Sequence, residues 1–200
     1  MRLLLFSDLH CDEQAARLLV EKSAGVDLVI GAGDFANGRH GIETCLNVLR
    51  AITAPAVLVA GNAESDQELR IAAKVWKSAT VLHGELHQVA GATLFGLGGA
   101  TPVTPFGDWS FDITEEDARD LLKPLPEGAI LVTHSPPKGT LDLDSRGRSL
   151  GSTAIRAAVL AKAPKLVVCG HIHASSGKQE KLGSSLVVNA GPNGIVLDLP

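Results

Sequence analysis

The chain has 200 residues, of which 45% are hydrophobic, and this length and composition predict one compact globular domain over residues 1–200. The formal net charge of −4 argues against general nucleic-acid binding, which usually requires a basic face. No apolar run is long enough for a membrane helix, and the three cysteines form no CxxC pair, so we expect a cytoplasmic protein without a membrane partner or disulfide framework. The oligomeric state stays open.

Short apolar segments alternate with helical patterns in the first part of the chain. Three segments are almost wholly apolar, as expected of strands covered on both faces: Arg2–Phe6, Asp27–Ile30 and Ala56–Ala60. After each segment, apolar residues recur at the spacings of three and four that are typical of a helix. Asp12 is the predicted N-cap of the first helix and Gly25 its stop, and Ser65-x-x-Glu68 opens the third helix as a capping box.

The second part of the chain adds two hairpin patterns and two further apolar strands. The hairpins pair Leu86–Val89 with Thr93–Gly96 and Ser185–Asn189 with Gly194–Asp198. The strands are Ala129–Thr133 and Lys165–Cys169, and two more helices enter through Thr114 and Ser152. We therefore predict an α/β fold in which two mixed β-sheets pack face to face with helices outside, a four-layer α/β/β/α sandwich.

Five short polar motifs directly follow predicted strands. They are Asp8-Leu9-His10, Gly33-Asp34, Gly61-Asn62, His134 and Gly170-His171-Ile172-His173. Ligand sites of open α/β sheets form at the carboxyl ends of strands, so we expect the five loops to converge at one sheet edge. Imidazoles, carboxylates and an amide oxygen together suit a two-metal hydrolytic site, which indicates phosphate ester chemistry.

In order and spacing these motifs resemble the calcineurin-like metallophosphoesterases, over nearly the whole chain. That family's pattern is DxH, then GD, then GNH with D or E, then a single H, then GHxH. The resemblance implies two divalent metal ions, of which Mn, Fe, Zn or Ni are all compatible with the ligand types. One metal would be held by Asp8, His10, Asp34 and His173. The other would be held by Asp34, Asn62, His134 and His171, so that Asp34 bridges the two.

The resemblance also implies a reaction and a class of substrate. A hydroxide that bridges the two metals would attack phosphorus in line with the leaving oxygen, and the metals would stabilise the developing charge. The substrates would be phosphodiesters or small phosphate esters, including nucleotides, because the compact chain has little room for a large recognition domain. Asn62 would contact the substrate as well as a metal.

Position 63 departs from the family pattern, which usually has His after the Asn ligand. Ala63 provides no proton donor for the leaving group, so we expect weakened or narrowed activity. His40 is the candidate catalytic replacement and Arg39 a candidate phosphate contact, since both follow the Asp34 motif. Glu64 is either a partner of the ligand loops or an acidic residue near a helix start.

Two other readings of function stay open beside the enzyme. The loss of the family His favours a scaffold module on the same fold, whereas the complete ligand set argues against it. A regulatory nucleotide or phosphate binder with slow turnover is the third. Among the long irregular segments, Gly98–Ile113 carries Trp109 and Phe111, which either line a substrate pocket or pin the loop to the core.

Overall fold

The computed structural model describes residues 1–200 and contains eleven strands, five α-helices and two short 3-10 helices. The strands are β1 (Arg2–Phe6), β2 (Leu28–Ala32), β3 (Ala56–Val59), β4 (Ala79–Val81), β5 (Glu85–Val89), β6 (Ala92–Leu97), β7 (Ile130–Thr133), β8 (Leu166–Cys169), β9 (Gln179–Leu182), β10 (Ser185–Asn189) and β11 (Ile195–Asp198). The helices are α1 (Glu13–Lys22), α2 (Ile42–Leu49), α3 (Asp66–Ala72), α4 (Glu115–Leu121) and α5 (Thr153–Lys162). None of these helices has the length and apolarity that a membrane span requires.

The strands form two mixed sheets. The first sheet has five strands in the order β11-β1-β2-β3-β4, and only β11 runs antiparallel to its neighbour. The second sheet has six strands in the order β5-β6-β7-β8-β10-β9, with the antiparallel strands β5 and β9 at its edges. Parallel strands therefore occupy the centre of both sheets, where both faces are covered.

Alternation along the strands builds three apolar layers. In β1, Leu3 and Leu5 face the second sheet, whereas Leu4 and Phe6 face α1, α2 and α3. On the far side, β6, β7 and β8 present alternate residues to α4 and α5. The resulting order is helices, sheet, sheet and helices, which confirms the predicted α/β/β/α sandwich.

The predicted helix starts are also correct. The side chains of Asp12, Ser65, Thr114 and Ser152 each accept the backbone hydrogen bond of an N-cap, and Ser65 forms a complete capping box. The first helix ends at Lys22, before Gly25, and the third gives way to a 3-10 turn after Ala72.

Two predictions about strand partners are wrong. The motif-bearing strands do not share one sheet, because β1, β2 and β3 lie in the first sheet and β7 and β8 in the second. Ser185–Asn189 and Gly194–Asp198 do not form a hairpin: β10 pairs with β8 and β9, whereas β11 crosses over and pairs with β1. Both segments are apolar enough to pair with any neighbour, so the local pattern does not reveal the crossing.

Candidate metal centre

The five polar motifs meet at one end of the sandwich, across the seam between the two sheets. Asp34 and Asn62 extend from strands of the first sheet, and His134 extends from β7 of the second. His134 Nε2 lies 3.4 Å from Asp34 Oδ1 and 3.2 Å from Asn62 Oδ1. All three residues are buried, so this half of the centre is closed from solvent.

The other half of the centre lies nearer the surface. His10 Nε2 is 3.2 Å from His173 Nε2 and 3.5 Å from Asp34 Oδ2, and His173 Nε2 is 3.7 Å from Asp8 Oδ1. Asp34 thus presents one oxygen to His10 and the other to His134. This arrangement matches the bridging position that the resemblance implies for Asp34.

His171 completes the set of seven residues. Its ring packs edge-on against that of His134, with ring centroids 4.9 Å apart. Its backbone N–H donates to Asp8 Oδ1 at 2.9 Å, which ties the last motif of the chain to the first. The structure therefore brings together all seven side chains that the sequence predicts as ligands.

Backbone carbonyls orient two of the candidate imidazoles, the half-buried His10 and the buried His134. His10 Nδ1 lies 3.1 Å from Ala36 O, and His134 Nδ1 lies 2.8 Å from Ala32 O. When Nδ1–H donates to a carbonyl, the Nε2 lone pair is left for a metal, and backbone carbonyls commonly fix this tautomer. The Nε2 atoms of His10 and His173 lie 3.2 Å apart, so both rings can face the same cation. The donors thus fit divalent metal ions.

Charge within the centre shifts the pKa values of several groups. Burial opposes ionisation of Asp34, but the charge and hydrogen bond of His134 outweigh it and hold the pKa of Asp34 below its ordinary value. Burial likewise opposes the charged form of His134, yet Asp34 raises its pKa to about 9. Burial, followed by the nearby charge of His134, lowers the pKa of His171 to about 4.

The two aspartates also differ in what surrounds them. Burial would raise the pKa of Asp8, and hydrogen bonding from His173 outweighs that effect and lowers it. Ser7 Oγ donates to Asp8 Oδ2 at 2.5 Å. For Asp34, the backbone N–H of Ala63 donates to Oδ1 at 2.8 Å. These contacts orient both carboxylates and favour their ionised forms.

The backbone at the motifs adopts conformations that most residues avoid. Four candidate ligands have positive φ: Asp8 (57°), His10 (44°), Asp34 (57°) and His171 (64°). Left-handed non-glycine residues cost free energy and concentrate at functional sites. Glycines provide room around them, because a Cβ at Gly170 would lie 2.5 Å from Asp8 Oδ2 and one at Gly33 would lie 2.7 Å from His134 Nδ1.

Glu64 holds two of the motif loops together. Its carboxylate accepts the backbone N–H groups of Gly61 (2.7 Å), Asp34 (2.9 Å) and Ala36 (2.9 Å), and it is 1% exposed. Burial, and then the charge of Asp34, raises its pKa to about 7. Of the two readings of Glu64, the structure supports a partner of the ligand loops.

Asn189 is a further buried residue of the centre that sequence reasoning missed. Its Nδ2 donates to Gly170 O at 3.0 Å and to Ile172 O at 3.1 Å, so it fixes the loop that carries His171 and His173. The segment Asn189-Ala190-Gly191-Pro192 has the composition of an ordinary turn. Its polar residue at the end of an apolar strand was the only available signal.

The two candidate residues outside the ligand set lie at the rim. Arg39 forms a salt bridge with Glu68 (Nε to Oε2, 2.9 Å), and its Nη1 donates to Trp109 O at 3.3 Å. His40 is exposed, and its carbonyl lies 3.3 Å from Cys11 Sγ. The Ala63 side chain is buried, and the residue accepts the Arg39 N–H through its carbonyl at 2.7 Å.

Sequence comparison places this geometry in a known family. The sequence model described as calcineurin-like phosphoesterase matches residues 1–175. The chain is 31% identical over 118 residues to UPF0046 protein T07D4.2 of Caenorhabditis elegans, a match that spans 56% of this chain but only 29% of that relative.

Solved structures share the fold. TT1561 of Thermus thermophilus superimposes with a TM-score of 0.76 at 20% identity, covering 96% of this chain and 90% of that one. A dimetal phosphatase from Danio rerio superimposes with a TM-score of 0.61 at 13% identity, covering 94% and 86%. With the family match over most of its length, the chain belongs to the calcineurin-like phosphoesterases, a family of metal-dependent hydrolases.

Proposed function

We propose that the protein hydrolyses phosphodiesters or small phosphate esters, nucleotides included, at a centre of two divalent metal ions. The observation that carries the proposal is the position of Asp34, whose two carboxylate oxygens face imidazoles on opposite sides of the centre. The structural neighbour from Danio rerio is a dimetal phosphatase, which is consistent with two metals. Manganese, iron, zinc and nickel all suit the ligand types.

The protein groups divide the work between them. Asp8, His10, Asp34 and His173 would hold one ion, and Asp34, Asn62, His134 and His171 the other. Bound ions would supply an activated water as nucleophile and positive charge for the phosphoryl oxygens. Glu64 and Asn189 keep the ligand loops in register through backbone hydrogen bonds. The Asn62 amide is in addition the proposed contact to the substrate.

The site lacks the residue that usually donates a proton to the leaving group in this family. Ala63 has no titratable group, so we propose that the natural leaving group has a low pKa or that the exposed His40 donates the proton. Arg39 is the proposed phosphate contact at the rim, where Glu68 holds its guanidinium. The proposed setting is the cytoplasm, which the three free cysteines favour.

The first test measures hydrolysis of bis-p-nitrophenyl phosphate by protein that is stripped with chelator and reloaded with Mn²⁺. Its leaving group has a low pKa, so turnover requires the metals but not a proton donor. We expect metal-dependent turnover that Asp34→Asn abolishes and that Asp198→Asn, an exposed carboxylate on β11, leaves unchanged. No turnover with two metals bound would contradict the proposal and favour a scaffold or a regulatory nucleotide binder.

A second test addresses position 63. Ala63→His restores an imidazole beside the metals, and general acid catalysis typically contributes about 10²–10⁴-fold for a poor leaving group. We expect higher turnover of an alkyl phosphate ester, with little change for bis-p-nitrophenyl phosphate. Ala63→Asn adds comparable bulk without a proton donor and serves as the control. Equal gains in both variants would show that the missing imidazole does not limit the rate.

A further inference from the structure

The loop between β6 and α4 (residues 98–114, the β6–α4 loop) contacts three of the ligand-bearing loops. Phe111 N donates to Asn62 O at 3.0 Å, and Thr101 N donates to Ser135 Oγ at 2.9 Å, beside His134. The third contact is the hydrogen bond from Arg39 to Trp109 O. The loop is therefore attached directly to the backbone of the candidate metal centre.

Side chains hold this loop in one shape. The Asp112 carboxylate accepts from Thr104 N and Thr104 Oγ1, both at 2.8 Å, and from Ser110 Oγ at 2.7 Å. These bonds join the two ends of the segment 105–109. Phe111 packs against the core beneath the loop. Of the two roles expected for the aromatic residues of this loop, Phe111 therefore has the one of holding the loop to the core.

Two aromatic rings on the fixed segment remain in solvent. Phe106 and Trp109 are 49% and 41% exposed, and their rings stack almost in parallel, with centroids 5.4 Å apart and an interplanar angle of 14°. Trp109 lies two residues from Phe111, and so within about 7 Å of the residue bonded to Asn62. Exposed apolar groups on a rigid loop beside a polar site are typical of ligand recognition.

We propose that Phe106 and Trp109 bind the nucleobase of a substrate whose phosphate is held at the metal centre. The inference rests on the proposed function and narrows its substrate class to nucleotide phosphate esters. Both stacked side chains are partly exposed, a flat heteroaromatic ring can extend such a stack, and base–aromatic stacking tolerates any base. The Arg39 side chain donates to the backbone carbonyl of Trp109, and this contact links the stack to the loop that follows Asp34.

Paired ligands that differ only in the base test this inference. AMP and ribose 5-phosphate are titrated into Mn²⁺-loaded protein, with affinity measured by calorimetry and tryptophan emission. We expect AMP to bind at least about tenfold more tightly than ribose 5-phosphate, because stacking of one base on an aromatic side chain strengthens binding by about that factor or more. Of the two ligands, only AMP should quench the emission of the exposed Trp109. The emission of Trp76, which is 1% exposed, should change little.

Variants identify the stack as the source of the preference. Trp109→Ala and Phe106→Ala should bring the affinity ratio of AMP to ribose 5-phosphate close to one, and Trp109→Phe should retain part of it. Val103→Ala changes another exposed apolar residue of the same loop, at 59% exposure, and should keep the wild-type ratio. Equal affinity of the two ligands in wild-type protein, or a ratio that survives Trp109→Ala, would overturn the inference.

The same titrations separate this inference from the proposed function. If bis-p-nitrophenyl phosphate is hydrolysed while AMP and ribose 5-phosphate bind equally, the stack has no role in substrate choice and the enzyme assignment stands. If neither AMP nor ribose 5-phosphate binds and bis-p-nitrophenyl phosphate is not hydrolysed, both proposals fail.

Discussion

Backbone groups, more than other side chains, orient the residues of the candidate metal centre. The carbonyls of Ala32 and Ala36 orient His134 and His10, and the amides of Ala63 and His171 orient the two aspartates. Fixed amides and carbonyls lose little entropy when a metal binds, so they favour a preformed site. Backbone orientation also makes each ligand sensitive to small shifts of its loop.

Asn189 provides a residue-scale prediction. Asn189→Asp keeps the shape but places an acceptor against the carbonyls of Gly170 and Ile172, so both carbonyls lose their donor. We expect a loss of about 1–3 kcal/mol in the free energy of unfolding and about 10–100-fold weaker metal binding. Urea unfolding and Mn²⁺ titration measure these changes.

The control for this variant is Asn193→Asp in the exposed turn that follows. It makes the same chemical change without a buried partner, so stability and metal affinity should stay near the wild-type values. A similar loss of stability in both variants would show that the added charge, and not the broken hydrogen bonds, is responsible.

The convergence of the candidate ligands was predictable from sequence, because each is a metal-binding residue type in a short motif after a strand. The sequence left Glu64 between two readings and gave Asn189 no role in the site, because most of their partners are main-chain atoms of loops distant in sequence. Glu64 lies 30 residues from Asp34 in sequence, and the residue types at these two positions do not predict the hydrogen bond between them. Such partners depend on the path of the chain.

At the scale of elements, the N-terminus of α5 is capped by a carboxylate from another helix. Glu115, the first residue of α4, accepts from Thr153 N at 2.9 Å, Ala154 N at 2.7 Å and Ser152 Oγ at 2.9 Å. Partial burial opposes ionisation of Glu115, but these hydrogen bonds outweigh it and lower its pKa. An anion at a helix N-terminus also interacts favourably with the helix dipole.

This contact predicts a pH-dependent stability. Because the pKa of Glu115 is lower in the folded state than its ordinary value of 4.5, its stabilisation is complete above that pH and disappears as pH falls through the folded value. We expect Glu115→Gln to cost about 0.5–1 kcal/mol at pH 7 in low salt, and less in high salt.

Urea unfolding at pH 7 and at pH 3 measures the effect. The difference between Glu115→Gln and wild type should narrow at the lower pH. Glu116→Gln is the matched control, because Glu116 is exposed in the same turn of α4 and does not reach α5. A difference that is independent of pH would mean that the carboxylate charge contributes nothing.

Local patterns predict the starts of helices better than the partners of strands. The N-caps at Asp12, Ser65, Thr114 and Ser152 depend on contacts within three residues, and all four are correct. The partners of β10 and β11 depend on which sheet each strand reaches. Periodicity does not encode that choice, and the short, polar β9 gave no strand signal at all.

At the scale of the whole molecule, the candidate metal centre lies across the seam between the two sheets. Asp34 and Asn62 belong to loops of the first sheet, and His134 and His171 to loops of the second. A metal bound across this seam would be released when the sheets separate on unfolding. Metal binding should therefore stabilise the entire sandwich.

Metal loading provides the corresponding prediction. At a free Mn²⁺ concentration 100 times the dissociation constant, stabilisation of about 2.7 kcal/mol corresponds to a Tm increase of about 5–10 °C for a chain of this size. Calorimetry with Mn²⁺ or with chelator measures it. Asp34→Asn should lose most of the increase and Asp198→Asn should keep it. Equal increases in both variants would mean that the metal binds elsewhere.

We propose that residues 1–200 form one cooperative domain, since the apolar layer between the sheets draws residues from both. Urea unfolding followed by circular dichroism and by the emission of Trp76, which is buried under the first sheet, should give coincident transitions. Separate midpoints would divide the chain into two units, one for each sheet.

The return of β11 to the first sheet has a consequence for the order of folding. The strands β1 to β4 lie early in the chain, but the open edge of β1 is covered only when Ile195–Asp198 arrives and pairs with Arg2–Leu5. Closing so long a loop is slow, and an uncovered apolar strand edge invites pairing with other chains. A nascent chain that has not yet made Ile195–Asp198 therefore exposes the edge of β1, where it can pair with other chains.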